Sequence, residues 1–269
     1  MANIFSIKGK KVGSVDLPSH FSEPFRPDLI KRAVVATWSR STQPFGSMPL
    51  AGQTSSAKFI GRRRKYGTTY GYGVSRIPRT MVRGGRRVGP ARIAPHAVSG
   101  RRAHPPKVYK VGAERINSKE RRKAIRSAIA ATALRDIVIA RGHRIEGVKD
   151  LPLVVEDALE SIATTKELIS TLESLGLVDE LERGAIKKIR AGRGTTRGRK
   201  YKRRKSALII IAKDEGIMRS AANIPGVDVA IVNQLNASVL APGTHPGRIT
   251  VWSKGAIETL GKEDLFKYR

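Results

Sequence analysis

Cysteine is absent from the 269-residue chain, so neither a disulfide nor a thiolate metal site can be built. Long apolar runs are missing too. None approaches the roughly 20 residues needed to span a bilayer. The first eleven residues alternate polar and apolar types and hold no signal-peptide core. These absences lead to the expectation of a cytoplasmic protein with no membrane contact. Gln and Asn are scarce while Ile is common, which points weakly to growth at high temperature. The most telling absence is acidic: no Asp or Glu occurs between Asp28 and Glu114.

What is present is positive charge. Lys and Arg number 52 against 22 Asp and Glu, a formal net charge of +30. Self-repulsion on this scale gives a free globular protein nothing, so the charge is matched to a polyanion, with nucleic acid first among the candidates. Residues 42–113 carry fifteen basic side chains and no acid. Among them are Arg62-Arg63-Arg64-Lys65, Arg76, Arg79, Arg83, Arg86-Arg87, Arg92 and Arg101-Arg102. Glycine and proline recur throughout, and neither the helical nor the strand period survives. An insert of this length lies far outside ordinary loops. Its like charges cannot collapse in water, yet against RNA phosphates they bind through counterion release. A plain linker would not need Phe45, Met48, Leu50, Phe59, Tyr66, Tyr70 and Tyr72. Tyrosine among arginine suits stacking on splayed bases.

A second basic run fills 192–205, with Arg193, Arg197, Arg199, Lys200, Lys202, Arg203, Arg204 and Lys205 and three glycines. It precedes a strongly apolar strand, which favours a second RNA-contacting loop hung from a folded domain.

The rest reads as an α/β fold. Strands are expected at 3–7 and 11–15 around Gly9, at 153–155, at 207–212, at 227–229 and at 248–252. Helices are expected at 27–40, with Ile30, Ala33, Val34 and Trp38 inward, and from Asn117 to about Arg141. That long helix opens on a capping box of Asn117 and Glu120. Ile125, Ala128, Ile129, Thr132 and Ile137 would face its core, and Arg121 and Arg122 would continue the basic surface with Lys119, Lys123 and Arg126. Further helices are read at 164–176 (Thr164 and Glu167 as capping box), 178–190, 215–222, 232–239 and 253–260. The alternation argues a Rossmann-like parallel sheet with helices on both faces. The domain reading is 1–41 and 114–269 as one core interrupted by a 42–113 loop.

Catalytic signatures are missing. No G-x-x-x-x-G-K-[ST], G-x-G-x-x-G after a strand, or G-x-S-x-G is present. The histidines His20, His96, His104, His143 and His245 are scattered, without a His or carboxylate at ligand spacing. Asp214-Glu215 reads as the acidic start of a helix. No enzyme, cofactor or metal is expected.

Several segments in order carry a resemblance. They are Gln43-Pro-Phe-Gly46, Ala51-Gly-Gln-Thr-Ser55, Val74-Ser-Arg-Ile-Pro-Arg79 with Arg83-Gly-Gly85, Asn117-Ser-Lys-Glu-Arg-Arg122, and Leu240-Ala-Pro-Gly-Thr-His-Pro-Gly247. Over nearly its whole length the chain resembles the fourth ribosomal protein family of the large subunit, in its archaeal and eukaryotic branch. The resemblance implies a Rossmann-like domain at the subunit's outer surface and a loop threading the rRNA, with its tip lining the nascent-peptide exit tunnel. The tip maps onto Arg76, Ile77, Pro78, Arg79, Arg83, Gly84 and Gly85. Implied partners are large-subunit rRNA, neighbouring ribosomal proteins and the nascent peptide, with no homo-oligomer. Eukaryotic relatives carry a long basic C-terminal extension with no counterpart after Arg269, so its contacts are expected to be missing. A loop of this length could reach on the order of 100 Å fully extended. The competing reading is an independent RNA-binding regulator with a disordered basic loop. An RNA-processing enzyme is a third, without a catalytic constellation to support it.

Overall fold

The computed structural model describes residues 1–65, 68–81 and 89–267. The chain divides into two compact units, Met1–Ser41 with Ala113–Arg269, and Thr42–Gly112.

In the first unit, β1 (Ala2–Phe5) and β2 (Lys11–Val15) pair antiparallel through the turn at Gly9, where φ is 73°. Helix α1 (Pro27–Ser41) starts on proline, whose missing N–H costs nothing in a first turn. After the second unit come α2 (Ser118–Ala133) and α3 (Arg135–Ala140). Strand β3 (Leu153–Val155) leads to α4 (Thr165–Ser174), capped by Thr164, and α5 (Val178–Ala185). A small hairpin of β4 (Lys188–Ile189) and β5 (Tyr201–Lys202) stands apart from the main sheet. Then follow β6 (Leu208–Ile211), α6 (Ile217–Ala221), β7 (Asp228–Ile231), α7 (Ala237–Leu240), β8 (Thr250–Ser253) and α8 (Lys254–Lys262). Asp214 starts α6 by accepting from the Gly216 and Met218 amides.

The main sheet runs β2-β1-β3-β8-β6-β7, and every pairing except β1–β2 is parallel. Alternation along the strands divides the core. Val154, Leu208, Ile210 and Trp252 join the buried faces of α1, α2, α7 and α8. Leu153, Val155, Ile209, Ile211 and Val251 join residues of α3, α4 and α6. Strand β6 is therefore apolar at every position because both its faces are covered. The α/β reading with helices on both faces holds, with an antiparallel edge added by β2.

Four element expectations are corrected. The helix begun at Asn117 does not run to Arg141; it breaks at Leu134 (ψ 107°) and restarts as α3. The break carries the chain from one face of the sheet to the other: Ala128 and Ile129 lie in the first cluster, Val138 in the second. Val138, not Ile137, is consequently the buried residue of α3. Trp38 is 44 % exposed, since the buried stripe of α1 ends at Ala36. Helix α5 stops at Ala185 rather than Arg190. Beyond it Ile186 and Ile189 are both exposed among Lys187, Lys188 and Arg190, so no apolar stripe is left to bury, and backbone pairing with 200–202 takes over. Arg248, read as a strand residue, is 1 % exposed. Its guanidinium donates to Ser206 O, Val239 O, Ala207 O, Gly226 O and Asp228 Oδ2, and so closes the ends of neighbouring strands.

In the unit Thr42–Gly112, only Ala57, Thr69 and Gly89 are buried among the described residues. So little apolar burial gives a low free energy of local opening. Trypsin acting on the free protein is expected to cut first within 42–112 and next within 192–205. First cleavage inside 153–185 would contradict the division of the chain.

Candidate nucleic-acid interface

The basic unit is built on backbone pairing. Its two legs run side by side: Ser47 N donates to Pro106 O (3.2 Å). Gly52, at φ 76°, sits so close to the Arg101 backbone that a β-carbon there would collide. Lys58 and Arg79 exchange N–H···O bonds of 3.1 and 3.2 Å, and Arg79 also bridges Ala91. Two excursions leave this three-stranded junction. One covers 59–78; the other, 80–90, is closed by Gly89 N on Thr80 O (3.0 Å).

Arg62, Arg63, Arg64, Lys65 and Arg76 are exposed on the first excursion. Arg63 lies 4.9 Å from the centre of the Tyr70 ring, an Arg–aromatic pair of the kind that stacks bases. Arg101 and Arg102 follow on the returning leg, and Arg92 is half-buried beside the junction. Phe45, Met48, Leu50, Phe59, Tyr70 and Tyr72 are all exposed. Because the unit holds no acid, none of its cations has a carboxylate there. Arg79 differs from its neighbours: it is half-buried, and its guanidinium donates to Ser75 Oγ (2.8 Å) and, at longer range, to Ser75 O and Gly89 O. Ile77 and Pro78 are half-buried with it. Tyr66, Arg83, Gly84, Gly85, Arg86 and Arg87 lie outside the described residues.

The second basic surface is the β4–β5 hairpin, closed by Arg190 N on Lys200 O (2.7 Å). Arg193, Arg197, Arg199, Lys200, Lys202, Arg203 and Arg204 are exposed. Tyr201 lies beneath Lys187 Nζ at 3.8 Å and Lys200 Nζ at 5.5 Å from its ring centre. Lys205 is set apart by its 2.9 Å pairing with Asp228.

The third is the start of α2, capped by Asn117 Oδ1 accepting from Lys119 N. Arg121 and Arg122 are exposed, and Arg122 also reaches Lys267 O (3.1 Å). Arg126, expected on this face, turns inward: it forks onto the Glu23 carboxylate and donates to Phe266 O.

One cluster was not legible beforehand. His143 has a carboxylate partner after all, Glu180 Oε1 at 2.8 Å. Glu180 is fully buried and also accepts from Arg183 Nη2 (2.6 Å), Arg183 Nε (2.8 Å) and Arg144 N (3.1 Å). Burial alone would raise the Glu180 carboxyl. The bonds from Arg183 and His143 outweigh it and hold the group at about 2. Ser206 Oγ donates only to the Glu180 main-chain carbonyl (3.3 Å); among the described residues no serine, threonine or second carboxylate bonds to the side chains of the trio, and no group of three metal-binding side chains occurs. No helix there is long and apolar enough to cross a membrane.

Residues 15–263 match the model of the Ribosomal protein L4/L1 family. The chain is 46 % identical to a large ribosomal subunit protein uL4 of Archaeoglobus fulgidus, over 97 % of this chain and 98 % of the relative. It is 48 % identical to the uL4 of Methanococcoides burtonii, over 96 % and 97 %. With a match across almost the whole α/β core and all three basic surfaces, the chain belongs to the ribosomal protein L4/L1 family.

Proposed function

We propose that the protein is a structural constituent of the large ribosomal subunit, bound to large-subunit rRNA and neighbouring ribosomal proteins in the cytoplasm, and not an enzyme. One observation carries the reading. A unit of defined backbone pairing holds fifteen cations and no acid, and among its described residues almost nothing apolar is buried. Such a unit gains its stability from phosphate rather than from a core. The hairpin 188–202 and the start of α2 supply further phosphate contacts. The names of the relatives support the same reading.

The test is copurification: the protein should stay with the large subunit through a high-salt wash at one copy per particle. Release by salt would favour an independent RNA-binding protein.

The finer part of the proposal concerns residues 76–85, read as bordering the exit tunnel and meeting the nascent peptide. Here Arg76 and Arg79 part company. Arg76 is exposed, whereas the Arg79 guanidinium ties Ser75 and Gly89 into the junction. Arg76→Ala should leave subunit yield near normal and change stalling on a tunnel-sensing peptide. Arg79→Ala should loosen the junction and lower yield about tenfold, the lower end of the scale of one charge-assisted hydrogen bond lost. Yield by sedimentation and stalling are measured in the same strains. Low yield with normal stalling for Arg76→Ala would make Arg76 one more phosphate anchor.

A further inference from the structure

A hollow in the α/β unit lies between the end of α3 and the turn at Pro242-Gly243, lined in part by Arg141, His143, Arg183, Arg204, Lys205 and His245. Its charges do not balance. Glu180 takes Arg183, and Asp228 takes Lys205 and Arg248. Arg141 and Arg204 have no ion pair among the described residues. Arg141 Nη2 donates to Pro242 O (2.8 Å), but its Nη1 is buried and has no partner. Burial lowers the Arg141 pKa to about 10, and the nearby Arg248 and Arg183 push in the same direction. A site that makes an arginine this reluctant to stay charged favours an incoming anion.

His143 supplies the second half. Its side chain is 1 % exposed, and Nδ1 stands 2.8 Å from Glu180 Oε1. Two lone pairs cannot face each other at that distance, so Nδ1 carries the proton. Arg183 Nη2 also lies 3.1 Å from Nδ1, but its two hydrogens already serve Glu180 Oε1 and Lys205 O. Burial lowers the His143 pKa against the opposing pull of Glu180, so the ring is neutral at neutral pH. Nε2 is then a bare acceptor, buried and without a partner. An acceptor is wrong for a phosphate oxygen and right for a hydroxyl.

The lining of the hollow thus includes two residues with an orphan buried atom, the Nη1 donor of Arg141 and the Nε2 acceptor of His143, two residues apart across Gly142, within uncompensated positive charge. We propose that it takes one ribonucleotide of the rRNA, with phosphate on Arg141 and Arg204 and the ribose 2′-hydroxyl donating to His143 Nε2. DNA has no hydroxyl at that place, so the pair reads the sugar as well as the charge. The inference rests on the ribosomal reading above.

The test uses the full chain with 15N-labelled histidine, the His143 signals being identified by their loss in H143Q. Before addition, His143 should show the Nδ1–H tautomer. Uridine 3′-monophosphate, 2′-deoxyuridine 3′-monophosphate and inorganic phosphate are then titrated separately at neutral pH. The ribonucleotide should shift Nε2 with a half-saturation about fivefold below that of the deoxy form, the scale of one hydrogen bond. Inorganic phosphate should leave Nε2 unmoved, and R141K should raise the ribonucleotide half-saturation about tenfold. An Nε2–H tautomer, equal half-saturation for both nucleotides, or no response (water fills the hollow) would each overturn the proposal. Cosedimentation with the large subunit is measured on the same preparation. Retention with an unresponsive His143 removes only the hollow, whereas loss from the subunit removes the ribosomal reading.

Discussion

Replacing Glu180 with alanine is expected to cost the α/β unit about 3 to 5 kcal/mol, because it strands buried cationic and polar partners without their anion. Arg183 is almost fully buried and His143 more so, and both lose their acceptor together. The measurement is urea unfolding followed by the buried Trp252. Glu258→Gln is the control: its pairs with Lys254 and Lys262 are exposed i,i+4 contacts, for which a change of a few tenths of a kcal/mol is expected. The pH dependence has a definite sign. The folded Glu180 carboxyl is held at about 2, below its ordinary 4.5. Its stabilisation is complete above 4.5 and disappears as pH falls toward 2, a loss of about 3 kcal/mol. His143, whose pKa burial lowers, adds a loss in the same direction that begins near its ordinary 6.5. Glu180→Ala should therefore flatten the acid limb of the stability curve as well as lower its plateau. A variant within about 0.5 kcal/mol of the parent would mean that water or local movement already serves Arg183.

The sequence was most readable where periodicity and burial coincide. Strand β6 shows as an unbroken apolar run because both its faces are covered, and α4 shows as Thr164 capping the Glu167 amide. It was least readable where the reason for a conformation lies elsewhere in the fold. Nothing between Thr132 and Asp136 is Gly or Pro, so the break at Leu134 has no local mark. It arises because Ile129 and Val138 belong to opposite faces of the sheet.

The basic surfaces divide along the same line. Runs such as 62–65 and 199–204 are plain in the sequence, since charge without acid needs no fold to be noticed. Which cations remain available does need the fold. Arg126 looked like Arg121 and Arg122 until Glu23 was found beneath it, and Arg79 looked like Arg76 until Ser75 and Gly89 were found around it. Glu180 in the first turn of α5 reads as an ordinary dipole complement. Its partner His143 lies 37 residues earlier, and only the folded chain brings the two together.

Replacing residues 48–108 with a short Gly/Ser linker is expected to leave the α/β unit folded and to remove most of its RNA affinity. The fold should survive because the flanking ends are already joined on that unit: Ser39 Oγ accepts from Glu114 N at 2.9 Å. The buried stripes of α1 and α2 pack on each other and on the sheet. Circular dichroism and an unchanged unfolding midpoint check this part. Binding to an rRNA fragment is then measured between low and moderate salt. The deleted segment carries fourteen of the fifteen basic residues of 42–113. Each phosphate contact contributes about 0.7 to 0.9 to the slope of log affinity against log salt. If about seven of the fourteen reach phosphate, the slope should fall by about five to six, and affinity at moderate salt by orders of magnitude. Neutralising Arg193, Arg197 and Arg199 instead should lower it by about two to three. The two variants discriminate because the hairpin stays intact in the deletion. An unchanged slope in the deletion, with a large fall in the hairpin variant, would move the principal RNA surface from the inserted unit to the β4–β5 hairpin and the start of α2.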